Sequence, residues 1–171
     1  MNIKTLLKKT ILSRHKIKPF NIDAAKVVIL GTFPGEESLK CNKYYSNPTN
    51  KFWELLGIKF GDFEALKDKG IGLWDVIKYC DRDDNGKNTS ADKHIKNEVY
   101  NDLFKLNGKN ILFNGKKAYN YYIKAKKNPK YANWPEVDED KILKSSSAAL
   151  SMKFEEKQKD WNKKLKKLGI K

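Results

Sequence analysis

The sequence predicts an α/β fold with three layers, in which helices cover both faces of a central, mainly parallel four-stranded sheet. An apolar run within residues 26–30 is typical of a strand that is buried on both faces. A second short apolar run covers residues 110–113. Segments with helical spacing follow these runs, and strands that alternate with helices form parallel sheets.

The other elements follow from hydrophobic spacing and from glycine and proline positions. Before the second apolar run we predict an amphipathic helix over 1–13, a linker over 16–21, helices over 50–56 and 60–69, a strand or helix over 71–79, a surface loop over 81–92 and a mixed helical segment over 95–106. After that run we predict a helix from Gly115 to about residue 125, a connection over 126–140, a short strand over 141–143 and a charged amphipathic helix over 152–168.

The chain has 171 residues and a formal net charge of +15, which fits a single domain spanning 1–171 with a polyanionic partner. The charge lies at the two ends: residues 1–20 carry a net +6 and residues 141–171 a net +7. Of 36 basic residues only Arg14 and Arg82 are arginine. Because lysine is a poor bidentate reader of bases, we expect contacts with a nucleic-acid backbone that tolerate any sequence.

Other classes are disfavoured. Cys41 and Cys80 are isolated, which argues against a zinc finger, an iron–sulfur cluster or a disulfide scaffold. His15 and His94 have no partner at metal or triad spacing. We recognise no signal peptide and no stretch of transmembrane length, and binding of the basic helices to a membrane is a weak alternative, so we expect a reducing cytoplasm.

The loop Gly31-Thr32-Phe33-Pro34-Gly35 follows the first buried strand and is the first candidate site. Such a loop can aim backbone N–H groups at an oxyanion or a carbonyl group. A tight turn without any chemistry explains the pattern equally well.

The segment from Tyr44 to Trp53 combines four aromatic residues with two asparagines. Aromatic rings can stack on a planar base, and asparagine can bind its polar edge. We interpret Phe52 and Trp53 as core residues, and Tyr45, Asn47 and Asn50 as functional candidates.

Two more segments follow predicted strands. Asn114 can pair with a donor and an acceptor of a base, although Asn-Gly is also a common turn. The segment Ser145-Ser146-Ser147-Ala148-Ala149 can approach a sugar-phosphate backbone or cap the last helix. Among the acids, we interpret Asp75 as a buried hydrogen-bond acceptor, and Glu36 and Glu37 as charges at a helix N-terminus.

These motifs resemble the uracil-DNA glycosylase superfamily, and most closely its hypoxanthine-DNA (deoxyinosine) glycosylase branch. The resemblance rests on segments in the same order and spacing: Gly31–Leu39, Tyr44–Trp53, Gly72–Val76, Phe113–Gly115, Leu143–Ala149, and Phe154, Lys157 and Trp161 in the last helix. It implies the three-layer fold of that superfamily and hydrolysis of the N-glycosidic bond of a deaminated base, without a metal or other cofactor.

The sequence departs from the superfamily pattern at two places. Phe33 stands where the uracil and mismatch branches carry an Asp or Asn that orients water, so the resemblance moves that role to Asn50, or to Asn47. In the second motif Lys144 and Ala148 replace two prolines, which predicts a more flexible loop.

The resemblance implies further roles. Base contacts are expected from Thr32, Phe33, Pro34, Gly35, Tyr45 and Asn114. Contacts with the DNA backbone are expected from Ser38, Ser145, Ser146 and Ser147. We expect a monomer acting on DNA that contains a damaged base. Two alternatives stay open: removal of uracil, also from mismatches, and a basic nucleic-acid-binding module that has lost catalysis.

Overall fold

The computed structural model of the chain describes residues 10–14, 17–83 and 95–171. Its strands are β1 (Thr10–Arg14), β2 (Val27–Gly31), β3 (Ile71–Asp75), β4 (Ile77–Asp83), β5 (Ile95–Tyr100), β6 (Asn110–Asn114) and β7 (Ile142–Leu143). Its α-helices are α1 (Glu36–Cys41), α2 (Phe52–Leu55), α3 (Phe63–Asp68), α4 (Lys116–Lys126) and α5 (Phe154–Lys167). Single 3-10 turns cover Leu103–Leu106, Pro129–Tyr131 and Glu139–Lys141.

The central sheet has the strand order β3-β2-β6-β7, and every neighbouring pair in it is parallel. β2 lies inside the sheet and is buried along its whole length. Its run of apolar residues is therefore the covered strand that the sequence predicts. Because the strands are parallel, the loops that leave their carboxyl ends meet at one edge of the sheet.

Successive residues of β2 enter two different cores, because side chains alternate between the faces of a strand. Val27 and Ile29 belong to a core with the aromatic residues of α2 and with Trp161 of α5. Val28 and Leu30 belong to a second core that includes Tyr122 of α4. The sheet is thus covered on both faces, which confirms the predicted three layers.

A second sheet, which the sequence prediction lacks, has the antiparallel order β1-β4-β5. The undecided segment 71–79 supplies β3 and the start of β4. The mixed helical prediction for 95–106 is wrong, because residues 95–100 form β5 and only a 3-10 turn follows. Pairing with β4 overrides the weak helical spacing of this segment.

The helix predicted over 1–13 is wrong for residues 10–13, which pair with β4 as part of β1. Residues 1–9 lie outside the described residues, as do residues 84–92 of the predicted surface loop, whose first residues belong to β4. The other predicted helices and strands are confirmed as α2, α3, α4, α5, β2, β6 and β7. No helix among the described residues has the length and apolar character that crossing a bilayer requires.

Candidate active site

A cleft of about 190 Å³ opens at the edge of the sheet where the parallel strands end. All the residues that the sequence analysis singled out as site candidates line it: Thr32, Phe33, Pro34, Gly35, Ser38, Tyr45, Asn47, Asn50, Asn114, Ser145, Ser146 and Ser147. Gly31, Tyr44 and Asp75 complete the wall. A larger hollow of about 370 Å³ shares Tyr44 with the cleft, but its other walls come from segments before β2 and around α1 and α3.

The loop after β2 is held against the end of β3. A β-carbon on Gly31 would lie only 2.3 Å from Asp75 Oδ1, so a larger residue does not fit there. The carbonyl groups of Gly31 and Thr32 accept hydrogen bonds from the N–H groups of Val76 and Ile77, at 2.9 and 3.0 Å. Gly31 is therefore required by close approach, and the loop has a fixed path.

Phe33 forms an apolar part of the cleft wall. Its ring is buried and packs with Ile77 and Cys80 of β4. A hydrocarbon ring in this place can exclude water but cannot orient it. The loop then enters α1, whose first turn carries Glu36 and Glu37, the position that the sequence analysis gave them.

Tyr45 projects into the cleft from a loop that is anchored in the core. Its ring stacks on the fully buried Phe52, with centroids 3.7 Å apart and planes 4° from parallel. Its carbonyl group accepts a hydrogen bond from Trp53 Nε1 at 3.0 Å. Phe52 and Trp53 are thus core residues, as predicted, and Phe52 covers one face of the Tyr45 ring.

The two candidate asparagines differ in what their carboxamides already do. Asn47 is exposed, and its Oδ1 accepts hydrogen bonds from both the N–H and the hydroxyl group of Thr49, at 2.9 and 2.8 Å. Asn50 is half-buried, and its Oδ1 accepts one hydrogen bond, from the Phe52 N–H at 2.9 Å. No described residue accepts a hydrogen bond from Asn50 Nδ2. Asn50 therefore retains more capacity for a water molecule or substrate.

Asn114, at the end of β6, connects three parts of the cleft. Its Nδ2 donates to the Tyr45 hydroxyl at 3.0 Å and to Ser146 Oγ at 2.8 Å. Its Oδ1 accepts a hydrogen bond from the Ser146 N–H at 2.8 Å. The following Gly115 has a φ of 95°, and a β-carbon there would lie 3.0 Å from Ser145 Cβ. The Asn-Gly pair is thus a turn and also the centre of a polar network.

The fold agrees with what comparison with known proteins shows. Residues 17–168 match the family model described as the Uracil DNA glycosylase superfamily. The chain belongs to this superfamily. Two proteins named hypoxanthine DNA glycosylase are each 36% identical to it, one from Methanosarcina barkeri over 125 residues and one from Methanosarcina acetivorans over 111 residues.

The aligned regions cover 64% of this chain and 76% of the M. barkeri protein, and 56% of this chain and 67% of the M. acetivorans protein. The solution NMR structure of a candidate uracil DNA glycosylase from M. acetivorans superposes with a TM-score of 0.64 at 27% identity. That superposition covers 93% of this chain and 99% of the other. The predicted fold and the resemblance to the hypoxanthine branch are therefore confirmed.

In this superfamily member, the loop of the altered second motif is held by α5. Lys157 Nζ donates to the Ser147 carbonyl at 2.9 Å, and Trp161 Nε1 donates to the Lys144 carbonyl at 2.7 Å. The Lys144 N–H in turn donates to Asp160 Oδ2 at 2.9 Å. These bonds fix the backbone where the motif lacks its two prolines.

Lys157 is buried, as is Trp161, and burial lowers the pKa of the Lys157 ammonium group. The sequence analysis noted Lys157 only as part of the family pattern and did not give it a role. The sequence offered one signal for such a role, which is a lysine placed among the apolar residues of one helix face.

The serines of the cleft are not equally accessible. Ser146 is fully buried with its hydroxyl bound by Asn114, and Ser38 is buried with its Oγ accepting a hydrogen bond from the Ser46 N–H at 3.3 Å. Ser145 and Ser147 are partly exposed. The last two are thus better placed for a phosphate group.

Asp75 is the one carboxylate among the residues that line the cleft, and it is only 4% exposed. The sequence analysis interpreted it as a structural acceptor. Asn101 Nδ2 does bind the Asp75 backbone carbonyl, at 2.8 Å, but the carboxylate itself lies in the cleft wall. Burial and then the Asp75 charge raise the pKa of Tyr44, so the Tyr44 hydroxyl keeps its proton.

Proposed function

We propose that this chain is a monofunctional DNA glycosylase that hydrolyses the N-glycosidic bond of hypoxanthine in a deoxyinosine flipped out of DNA. The observation that carries this is the convergence of Tyr45, Asn50 and Asn114 in one cleft at the carboxyl edge of the sheet. The two relatives named hypoxanthine DNA glycosylase support the choice of base.

The residues supply what this reaction needs. Cleavage of a glycosidic bond passes through an oxocarbenium-like sugar, so a strong base is not essential when a water molecule is held near the anomeric carbon. Asn50 holds that water, with Asn47 as the alternative. N–H groups of the loop from Thr32 to Gly35 stabilise the departing base.

The flipped base enters between these groups. It stacks on the face of Tyr45 that Phe52 does not cover, and its polar edge meets Asn114. Phe33 and Pro34 form the apolar wall beside it, and Ser38 lies behind the loop. Extrusion costs a few kcal/mol of stacking and pairing energy, which these contacts offset.

A hydrolytic reaction also fits the composition of the cleft. No described residue that lines it is a lysine, so none of these residues supplies an amine that could attack the sugar and form a Schiff base. This supports simple hydrolysis rather than strand cleavage by the enzyme.

DNA is held through its backbone. Ser145 and Ser147 donate to phosphates that flank the flipped nucleotide, while Ser146 keeps the loop attached to Asn114. The basic segments 1–20 and 141–171 add affinity that does not depend on sequence.

The test is incubation with duplex oligonucleotides that contain a single inosine, uracil or xanthine, followed by alkaline cleavage of abasic sites. We expect strand breaks at inosine, and loss of these breaks in Asn114→Ala. The matched control is Asn120→Ala, an exposed asparagine of α4 outside the cleft, which should cleave like the wild type. Strand breaks without alkali would contradict a monofunctional reaction.

Uracil is the second candidate substrate, because the solved structure that superposes on the chain is that of a candidate uracil DNA glycosylase. Breaks at uracil alone would favour this function over the first. No breaks at any base, with DNA binding retained, would replace both proposals by a nucleic-acid-binding module.

A further inference from the structure

The hollow of about 370 Å³ lies next to the cleft and is not used by the proposed reaction. Tyr44 lines both, and the loop that contains it continues from Asn42 in the wall of the hollow to Asn47 in the wall of the cleft. A ligand that extends beyond the cleft along this loop therefore meets the hollow.

The walls of the hollow are held by contacts within the protein. Phe20 exchanges two backbone hydrogen bonds with Leu73 of β3, both of 2.9 Å. Phe63, the first residue of α3, packs edge-on against Phe20 with ring centroids 5.2 Å apart. The Lys43 N–H donates to the Ser38 carbonyl at 3.1 Å. The hollow is therefore formed before any ligand binds.

The inner surface of the hollow is apolar. Ile17 and Tyr44 are buried in it, whereas Phe20 and Phe63 are partly exposed and Pro19 is exposed. Three of these five residues carry aromatic rings. Apolar walls with aromatic rings are typical of a site for a flat organic group.

The outer part of the hollow is positively charged. Lys18 and Lys43 line it and are exposed, and no described residue forms an ion pair with either ammonium group. None of the described residues that line the hollow is an aspartate or a glutamate. The carboxamide of Asn42, also exposed there, can both donate and accept hydrogen bonds.

A nucleotide combines the groups that these side chains recognise. Its base is flat and has a polar edge, and its phosphate is an anion that lysine binds as a point charge. Positive charge beside aromatic rings is the arrangement by which proteins bind single-stranded nucleic acid without reading its sequence. A base within a duplex is stacked and paired, so it enters such a site only at an energetic cost.

We propose that the hollow is a second nucleotide site, which takes an unpaired, undamaged base of the DNA strand that occupies the cleft, with the phosphate between Lys18 and Lys43. This rests on the proposed function, since that function makes DNA the polymer in the cleft. The site adds contacts on single-stranded DNA that a fully paired duplex does not supply. Substrates with unpaired bases beside the damaged base are therefore held more tightly than closed duplexes.

The experiment compares two DNAs that contain no damaged base, an oligothymidylate and a fully paired duplex, by fluorescence anisotropy with the full chain. Phe63→Leu keeps an apolar side chain but removes the aromatic ring. It should weaken binding of the oligothymidylate by about fivefold, because one stacked base is lost. Binding of the duplex should stay unchanged. Thermal melting confirms that the variant is folded.

The lysines are tested through the salt dependence of binding. Each lysine that contacts a phosphate of a single strand contributes about 0.7 to the slope of log affinity against log salt. Lys18→Ala and Lys43→Ala should each lower the slope for the oligothymidylate by about this amount. The matched control is Lys67→Ala, an exposed lysine of α3 outside the hollow and the cleft, which should leave the slope unchanged.

Equal binding of the oligothymidylate by the wild type and folded Phe63→Leu would overturn the proposal, as would an equal loss on both DNAs. If Phe63→Leu does not fold, Lys43→Ala decides, and an unchanged slope overturns the proposal. A hollow that takes an acidic peptide instead would leave every DNA affinity unchanged, which is also a refutation. Excision from a duplex with inosine is measured separately, so a failure of the proposed function is recognised by itself.

Discussion

Replacement of Asn50 by alanine removes two contributions of different size. The carboxamide oxygen accepts a hydrogen bond from the Phe52 N–H at 2.9 Å, at the start of α2. Loss of one such bond costs about 1 kcal/mol, which lowers Tm by about 2–4 °C in a chain of this length. Loss of a group that positions a reactant costs on the order of 100-fold in rate. We therefore expect a small loss of stability and a large loss of activity.

The assay is single-turnover excision of hypoxanthine, with protein in excess over the duplex so that DNA affinity does not limit the rate. Asn47→Ala is the matched control, because Asn47 lines the same cleft but is exposed and its carboxamide oxygen accepts hydrogen bonds from Thr49. It should keep the rate within about threefold of the wild type, a change of less than 1 kcal/mol. Asn50→Asp retains the acceptor for Phe52 and should melt like the wild type.

The result that refutes this reasoning is a rate for Asn50→Ala within the range of the control. If Asn47→Ala lost activity instead, the water would belong to Asn47. A loss of activity that vanished at lower temperature would indicate that the effect came from the weakened start of α2.

Three other measurements test the cleft and its surroundings. Gly31→Ala should abolish activity and cost about 1–3 kcal/mol of stability, because its β-carbon meets Asp75 Oδ1 at 2.3 Å. A β-carbon on Gly35 has no atom within 4 Å, so Gly35→Ala should leave stability unchanged. Equal effects of the two variants in thermal melting would contradict the steric argument. Duplex affinity should fall steeply and linearly on a log–log plot against salt, and a flat plot would exclude backbone contacts. Lys157→Met removes the hydrogen bond to the Ser147 carbonyl and should raise KM more than it lowers kcat. Because the Lys157 pKa in the folded chain lies below its ordinary value of 10.5, the unfolded chain binds more protons at pH values between the folded and unfolded pKa. Urea titrations should therefore show the wild type gaining stability relative to the variant as the pH rises through that interval.

Two strands of the central sheet, β2 and β6, were predictable because each is a short run of consecutive apolar residues. Burial on both faces imposes that pattern, so β2 and β6 were located to within one residue. The second sheet was not predictable in the same way. Residues 95–100 are only partly buried and depend on their pairing with β4, which is a contact between distant parts of the chain.

In the candidate site, too, the positions of the residues were predictable but their contacts were not. Gly31, Asn114 and the serine loop come at the ends of strands. Because ligands bind at the carboxyl ends of parallel strands, the sequence alone predicted that these segments lie close together. The partners of each side chain could not be read from the sequence. That Phe52 covers one face of Tyr45 and that Asn114 is bound on three sides are results of packing.

The bonds from α5 to the serine loop also set an order of events during synthesis. The loop after β2, the two asparagines and β6 leave the ribosome before α5 does, and a domain assembles as its segments become available. Until α5 folds, the backbone around Lys144 and Ser147 lacks the partners that hold it. A nascent chain that has not yet made α5 therefore presents an open, incomplete cleft, and the last helix closes the assembly of the site.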